Sequence, residues 1–150
     1  MTAVNVSLML PEQLHAAYAI HKASVYRHWS FNTFEDCSHA PYCAYVATLE
    51  GSVIGYALLL LVADEATLMD IAIDKDHQRR GVGTALLKQV VTHSKEHNMA
   101  SIWLEVRSGN KAALSLYSDF GFVTQEIRKG YYPTAHGTED AIIMRALLNP

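Results

Sequence analysis

Cysteine is scarce: the 150-residue chain has two, Cys37 and Cys43, which form neither a CxxC spacing nor the set that staples a small secreted fold. That excludes a disulfide framework and points to a reducing compartment. Long apolar runs are missing too. The longest, Gly55 to Ala63, is about half of the roughly 20 residues a membrane helix needs and stops at Asp64 and Glu65, so it reads as a buried strand. Met1 to Pro11 holds no Lys or Arg and no apolar core of the secretory type, so a cytoplasmic protein without a membrane partner is expected. Neither sign of charge dominates, since 12 basic against 15 acidic residues give −3. This leaves no broad basic field for direct nucleic-acid binding and no acidic tail for a basic partner. There is no repeat, low-complexity tract or linker. With half its residues hydrophobic, the chain is expected to form one domain over residues 1–150.

What is present is a sequence of short periodic segments. Val4, Val6, Leu8 and Leu10 alternate with more polar neighbours as in a half-buried strand, which Pro11 stops. Leu14, Ala17, Tyr18 and His21 follow at helical spacing, giving a helix to about Ser24; Ser30 is placed to cap a short second helix through Phe34 to about Cys37. Tyr42 to Leu49 and Ser52 to Val62 flank Glu50-Gly51 as an antiparallel hairpin, and Ala66 to Ile73 makes a further strand. Leu86, Leu87, Val90, Val91 and Ser94 share one face of a long helix reaching about His97. In the strand Ser101 to Val106, Ile102, Leu104 and Val106 face one way, and Trp103, Glu105 and Arg107 the other. Asn110 to Phe120 has a helical stripe of Ala113, Leu116, Tyr117 and Phe120, stopped by Gly121. Strands Phe122 to Lys129 and Ala141 to Leu147 close the chain, with a long polar and aromatic loop expected between them. The order β-α-α-β-β-β-α-β-α-β-β specifies a mixed, mostly antiparallel α/β sheet flanked by helices.

One segment carries recognisable chemistry. Gln78-Arg79-Arg80-Gly81-Val82-Gly83-Thr84 lies between a strand and the start of the long helix. The first N–H groups of a helix lack intrahelical partners and sit at the positive end of its dipole, so the backbone there binds anions. Glycines allow close approach, and Arg79 or Arg80 can clamp a diphosphate. Neither GxxxxGK[ST] nor a complete GxGxxG is present, which disfavours ATP and dinucleotides.

The segment resembles the Q/RxxGxG/A motif of the GCN5-related N-acetyltransferase (GNAT) superfamily. The resemblance extends through Asp64 to Leu68, Ile71 to Ile73, Trp103-Leu104-Glu105-Val106-Arg107, Asn110, Leu116-Tyr117, Gly121-Phe122, Tyr131-Tyr132-Pro133 and Glu139 to Met144. In order and spacing these are similar to the RimI-type branch, which acetylates the N-terminal alanine of the eighteenth small-subunit ribosomal protein. Before Asp64 the likeness is looser, with Trp29-Ser30 and Thr33-Phe34 as matching pairs and His28 where that branch commonly has proline.

The resemblance implies acetyl-CoA as co-substrate, held by the main chain of Ile71, Ala72 and Ile73, by Arg79, Arg80, Gly81, Val82, Gly83 and Thr84, and by Asn110. It implies Glu105 as general base and Tyr117 as general acid, in direct transfer within a ternary complex. An N-terminal ammonium has a pKa near 7.7 to 8.0, so a base must free it at neutral pH, and an acid helps the CoA thiolate leave. Read from the residues alone, Glu105 is a surface carboxylate paired with Arg107, Tyr117 is a core aromatic and Asn110 could be only a helix cap; the resemblance reverses that preference for Glu105. Tyr131, Tyr132, Glu139 and Asp140 are candidates for the peptide site, the implied partner being the N-terminus of a small-subunit ribosomal protein, against a simple tyrosine-rich loop with solvated acids.

No metal is expected: His93 and His97 are four apart but lack a zincin glutamate and a third ligand, and flank the long helix's stripe. Neither cysteine has a neighbour marking it as an acetyl-carrying nucleophile. The competing functions are transfer to lysine side chains or a small amine, and a CoA-binding module without chemistry.

Overall fold

A computed structural model describes residues 3–148. The backbone forms a seven-stranded sheet in the order β1-β2-β3-β4-β5-β7-β6. The strands are β1 (Asn5–Leu8), β2 (Tyr42–Leu49), β3 (Ser52–Val62), β4 (Glu65–Ile73), β5 (Ser101–Arg107), β6 (Val123–Thr134) and β7 (Gly137–Leu147). The helices are α1 (Leu14–Ser24), α2 (Phe31–Asp36), α3 (Val82–Glu96) and α4 (Lys111–Asp119). Every neighbouring pair is antiparallel except β4 and β5, whose parallel pairing requires the crossover that α3 supplies.

Local chemistry sets most boundaries. β2 and β3 are joined by Glu50-Gly51 alone, both at positive φ (50° and 83°), the two-residue turn whose twist matches the flanking strands. Ser30 accepts the Thr33 N–H at 3.2 Å and caps α2, while Gly121 at φ 88° ends the α4 segment.

Two expectations change. β1 is shorter than the alternation suggests: after Leu8 the chain bends into a 3-10 turn at Pro11–Gln13, so Met9 packs inward and Leu8 and Leu10 are left exposed. The expected long loop before β7 is instead a hairpin, since β6 continues to Thr134 and only Ala135 and His136 separate it from β7. A register shift between Arg128 and Tyr132 makes this possible. Gly130 takes φ 61° there, and its N–H is received by Asp140 at 2.9 Å, so a glycine that looks like a loop marker is a bulge inside a strand.

The sheet separates two apolar layers. On one face α3 and α4 cover Leu59, Leu68, Ile102, Leu104 and Val106; on the other, α1 and α2 cover Val46, Tyr56, Leu58 and Ala72, with Phe34 fully buried. Even positions of β5 therefore look toward α3 and α4, and in β4 the alternation reverses between Leu68 and Asp70, so that Leu68 and Ala72 lie on opposite faces.

Candidate active site

β4 and β5 run side by side only from Glu65 to Leu68 against Ser101 to Leu104. Beyond that point they diverge. Opposite Leu58 and Leu59 of β3, Met69 is an extra residue in β4, and this bulge turns the strand as it leaves β5. From Asp70 to Ile73, β4 remains paired with β3 on one edge, while its other edge has no strand beside it. A cavity of about 1070 Å³ occupies the divergence.

The α3/α4 half of this cavity has the features of an anion cradle. Ile71, Ala72 and Ile73 line it, as do Arg79 and the start of α3 from Gly81 to Thr84. Gly81 caps α3 at φ 79° and offers no side-chain cap; the first intrahelical bond is from Ala85 N–H to Gly81 O at 3.0 Å. The N–H groups of Val82, Gly83 and Thr84 meet no protein acceptor among the described residues, so they remain for a ligand. Gly83 serves packing: a Cβ there would lie 3.3 Å from Leu116 Cδ2 and 3.5 Å from Ile73 Cδ1. Asn110 caps α4 by accepting the Ala113 N–H at 3.2 Å, which leaves its amide N–H groups beside the cavity it lines. Arg80 is exposed and does not line the cavity.

Tyr117 enters the cavity from α4. Its ring is buried, yet no hydrogen bond from its hydroxyl is made to the described residues. Burial, with the charge of Asp70 behind it, pushes this phenol up to about 12. Tyr56 is raised for the same leading reason. A folded chain thus keeps protons that an unfolded chain releases near pH 10, so this stabilisation is complete below about pH 10 and declines as pH rises through about 12. Alkaline unfolding followed by circular dichroism is expected to show a shallower loss for Tyr117→Phe than for the parent; equal slopes would mean that Tyr117 titrates like a free phenol.

The opposite half presents carboxylates. Glu105 is on the exposed face of β5, and Tyr132 donates its hydroxyl to Glu105 Oε1 at 2.5 Å. The Arg107 guanidinium lies 4.1 Å above the Tyr132 ring and pairs with Glu139 at 3.4 Å, while Glu139 also accepts the Gly109 N–H at 2.7 Å. Arg107 is therefore engaged with Glu139, and the Glu105–Arg107 pair open to the sequence is not among the ion pairs of the described residues. Burial and the bond to Glu105 both raise the Tyr132 phenol, which keeps it a donor.

Of the four peptide-site candidates, Tyr132 lines the cavity. Tyr131 is half exposed under the Arg128 guanidinium; Glu139 braces Arg107; Asp140 holds Gly130 and Lys129, whose N–H groups keep its carboxyl below the usual range. The cavity also takes His21, Tyr26, Arg27, Trp29 and Asp70, which the sequence did not single out as site residues. Asp70 had a visible signal, a lone acid inside the apolar run Leu68 to Ile73. The cysteines stay outside the cavity, and burial raises both thiols, an unsuitable state for a nucleophile. His93 lies within the buried stripe of α3 rather than beside it, hydrogen-bonded to the Tyr45 hydroxyl at 2.8 Å, and His97 stacks on it at 4.0 Å. Among the described residues no group of three or more His, Cys, Asp or Glu could hold a metal ion, and no helix is long and apolar enough to cross a membrane.

The chain is similar to known proteins in sequence and in fold. The model of the acetyltransferase (GNAT) family matches residues 9–122. The [ribosomal protein bS18]-alanine N-acetyltransferase of Escherichia coli strain K12 is 41% identical over 140 residues, covering 93% of this chain and 95% of that protein. Its counterpart in Salmonella typhimurium strain LT2 is 40% identical over the same length. The crystal structure of the Escherichia coli ribosomal-protein-S18-alanine N-acetyltransferase superposes with a TM-score of 0.93 at 38% identity, covering 99% of this chain and 96% of that one. With a cradle for an anion at α3, a gap between β4 and β5, and these relatives along nearly its whole length, the chain belongs to the acetyltransferase (GNAT) family.

Proposed function

We propose that residues 1–150 act as one domain that transfers acetyl from acetyl-CoA to the α-amine of the N-terminal alanine of a bS18-type ribosomal protein, in the cytoplasm and by direct transfer in a ternary complex. The observation that carries the reading is that Glu105 and Tyr117 enter one cavity from opposite layers of the sheet, at the gap between β4 and β5. The names of the relatives support the acceptor.

The chain's own groups divide the work. The N–H groups of Val82, Gly83 and Thr84, with Arg79 and the Asn110 amide, hold the pyrophosphate end; the unpaired edge of Ile71, Ala72 and Ile73 pairs with the pantetheine arm. Acetyl-CoA supplies the activated acyl group. Glu105 takes a proton from the acceptor ammonium, directly or through water, and Tyr132 fixes the carboxylate by donating to Oε1. N–H groups along the free edge of β4 stabilise charge on the carbonyl oxygen. Tyr117 gives its proton to the departing sulfur. Both cysteine thiols are held protonated and outside the cavity, which favours direct transfer over an acetyl-cysteine route.

The test is mass spectrometry of a peptide copying the bS18 N-terminus, beginning at alanine, after incubation with the protein and acetyl-CoA, beside an N-blocked lysine-containing control. One added acetyl group on the free-amine peptide alone is expected. Acetylation of the control instead would move the acceptor to lysine, and no gain on either would overturn the assignment to a peptide α-amine.

A further inference from the structure

The α1/α2 half of the cavity contains a second carboxylate that is held as firmly as Glu105 and has no part in the steps above. Asp70 is the first residue after the β4 bulge, 16% exposed, and lines the cavity. Two buried donors converge on it. His21 Nδ1, from α1, lies 2.8 Å from Asp70 Oδ2, and the Tyr56 hydroxyl, from β3, donates to the same oxygen at 2.5 Å. His21 is 1% exposed and its other nitrogen is occupied: Nε2 accepts the Trp29 N–H at 2.9 Å. A neutral His21 therefore carries its proton on Nδ1 and directs it at Asp70. The Tyr56 hydroxyl is also 3.0 Å from Nδ1, so the three side chains form one closed cluster.

Both bonds end on Oδ2, so Oδ1 has no hydrogen-bond partner among the described residues. A partly buried carboxylate whose bonds come only from a neutral imidazole and a phenol has no cation beside it, and a ligand that brings one offsets the cost of its desolvation. Of the cations lining the same cavity, Arg107 is paired with Glu139, and Arg79 stands at the α3 end. Arg27 is exposed and makes no ion pair among the described residues. Asp70 and Glu105 share the sheet face opposite α3 and α4, on the two strands that diverge. The charge of Asp70 also reaches the Tyr117 phenol. Asp70 thus lines the same cavity as Glu105 with one oxygen that has no hydrogen-bond partner among the described residues.

We propose that Asp70 is the ammonium anchor of the acceptor site: Oδ1 receives the α-ammonium of the incoming peptide and holds it beside Glu105, with His21 and Tyr56 as positioning residues that fix the carboxylate. The inference rests on the acceptor reading above and deepens it.

Binding to the CoA-loaded protein tests this without turnover. Two peptides are compared, the alanine-initiated sequence and its desamino analogue with a propionyl group in place of alanine. The wild-type chain is expected to prefer the ammonium peptide by about tenfold or more, and Asp70→Asn to bind the two about equally, with acetyl-CoA affinity unchanged. A merely structural Asp70 would weaken both peptides alike and keep the preference, which would overturn the proposal. If Asp70→Asn does not fold, Tyr56→Phe decides. It keeps the ring and removes one donor from Oδ2, so a preference reduced severalfold supports the anchor, and an undiminished one overturns it. Failure of the wild-type chain to bind or acetylate the alanine peptide removes the acceptor assignment and Asp70 with it; acetylation with the preference intact in Asp70→Asn removes Asp70 alone.

Discussion

Replacing Glu105 with Gln is expected to lower kcat/KM for the free-amine peptide by about 10²- to 10⁴-fold at neutral pH, the range over which a positioned base accelerates proton removal. Glutamine keeps the length of the side chain and an oxygen that can still accept the Tyr132 hydroxyl, so the site geometry is retained and basicity alone is lost. Because Arg107 already pairs with Glu139, the substitution leaves no buried cation behind, and the melting temperature should barely move. The dissociation constant of acetyl-CoA, which is bound from the other layer of the sheet, should be unchanged. The defect should also shrink with rising pH, since an α-amine with a pKa near 7.7 to 8.0 increasingly arrives already neutral. Steady-state kinetics at two pH values either side of that range measures both effects. Loss of no more than about threefold would return Glu105 to the role of a surface carboxylate.

Much of the scaffold for this chemistry is legible in the chain because it depends on local signals. The Glu50-Gly51 turn, the Ser30 cap and the stripe of α3 are each specified within a few residues, and the period-2 pattern of β5 already separates Leu104 from Glu105. What the sequence hides is partner choice over distance. Arg107 stands two residues from Glu105 on one face, yet binds a carboxylate 32 positions away, while Glu105 meets a tyrosine 27 positions on. The His21–Tyr56–Asp70 cluster spans as many as 49 positions and depends on where α1 crosses the sheet. Gly130 and Pro133 look like loop residues because propensity cannot show that an edge strand will absorb one in a bulge and the other beside solvent. Glu105 and Tyr117 stand out only through resemblance. Their residue patterns alone favour a paired surface acid and a core ring, and what the pattern cannot show is that both residues line one cavity.

Tyr117→Phe separates acid catalysis from packing more cleanly than most buried substitutions. The ring that fills the α4 layer is kept, and the hydroxyl has no hydrogen-bond partner among the described residues, so no buried donor or acceptor is stranded by its removal. With a phenol held at about 12, the wild-type residue is fully protonated at neutral pH and can donate to sulfur in every turnover. The variant is expected to show kcat lower by about 10- to 100-fold with near-native stability, a smaller loss than for Glu105→Gln because a thiolate, whose conjugate acid has a pKa near 8.5, leaves tolerably without help. A series of thioesters supplies the control. An acetyl thioester built on a more acidic thiol needs the proton less, so the gap between wild type and Tyr117→Phe should narrow as the thiol pKa falls. A gap that stays constant across such a series would show that the hydroxyl orients the thioester, and the proton for sulfur would then have to come from solvent.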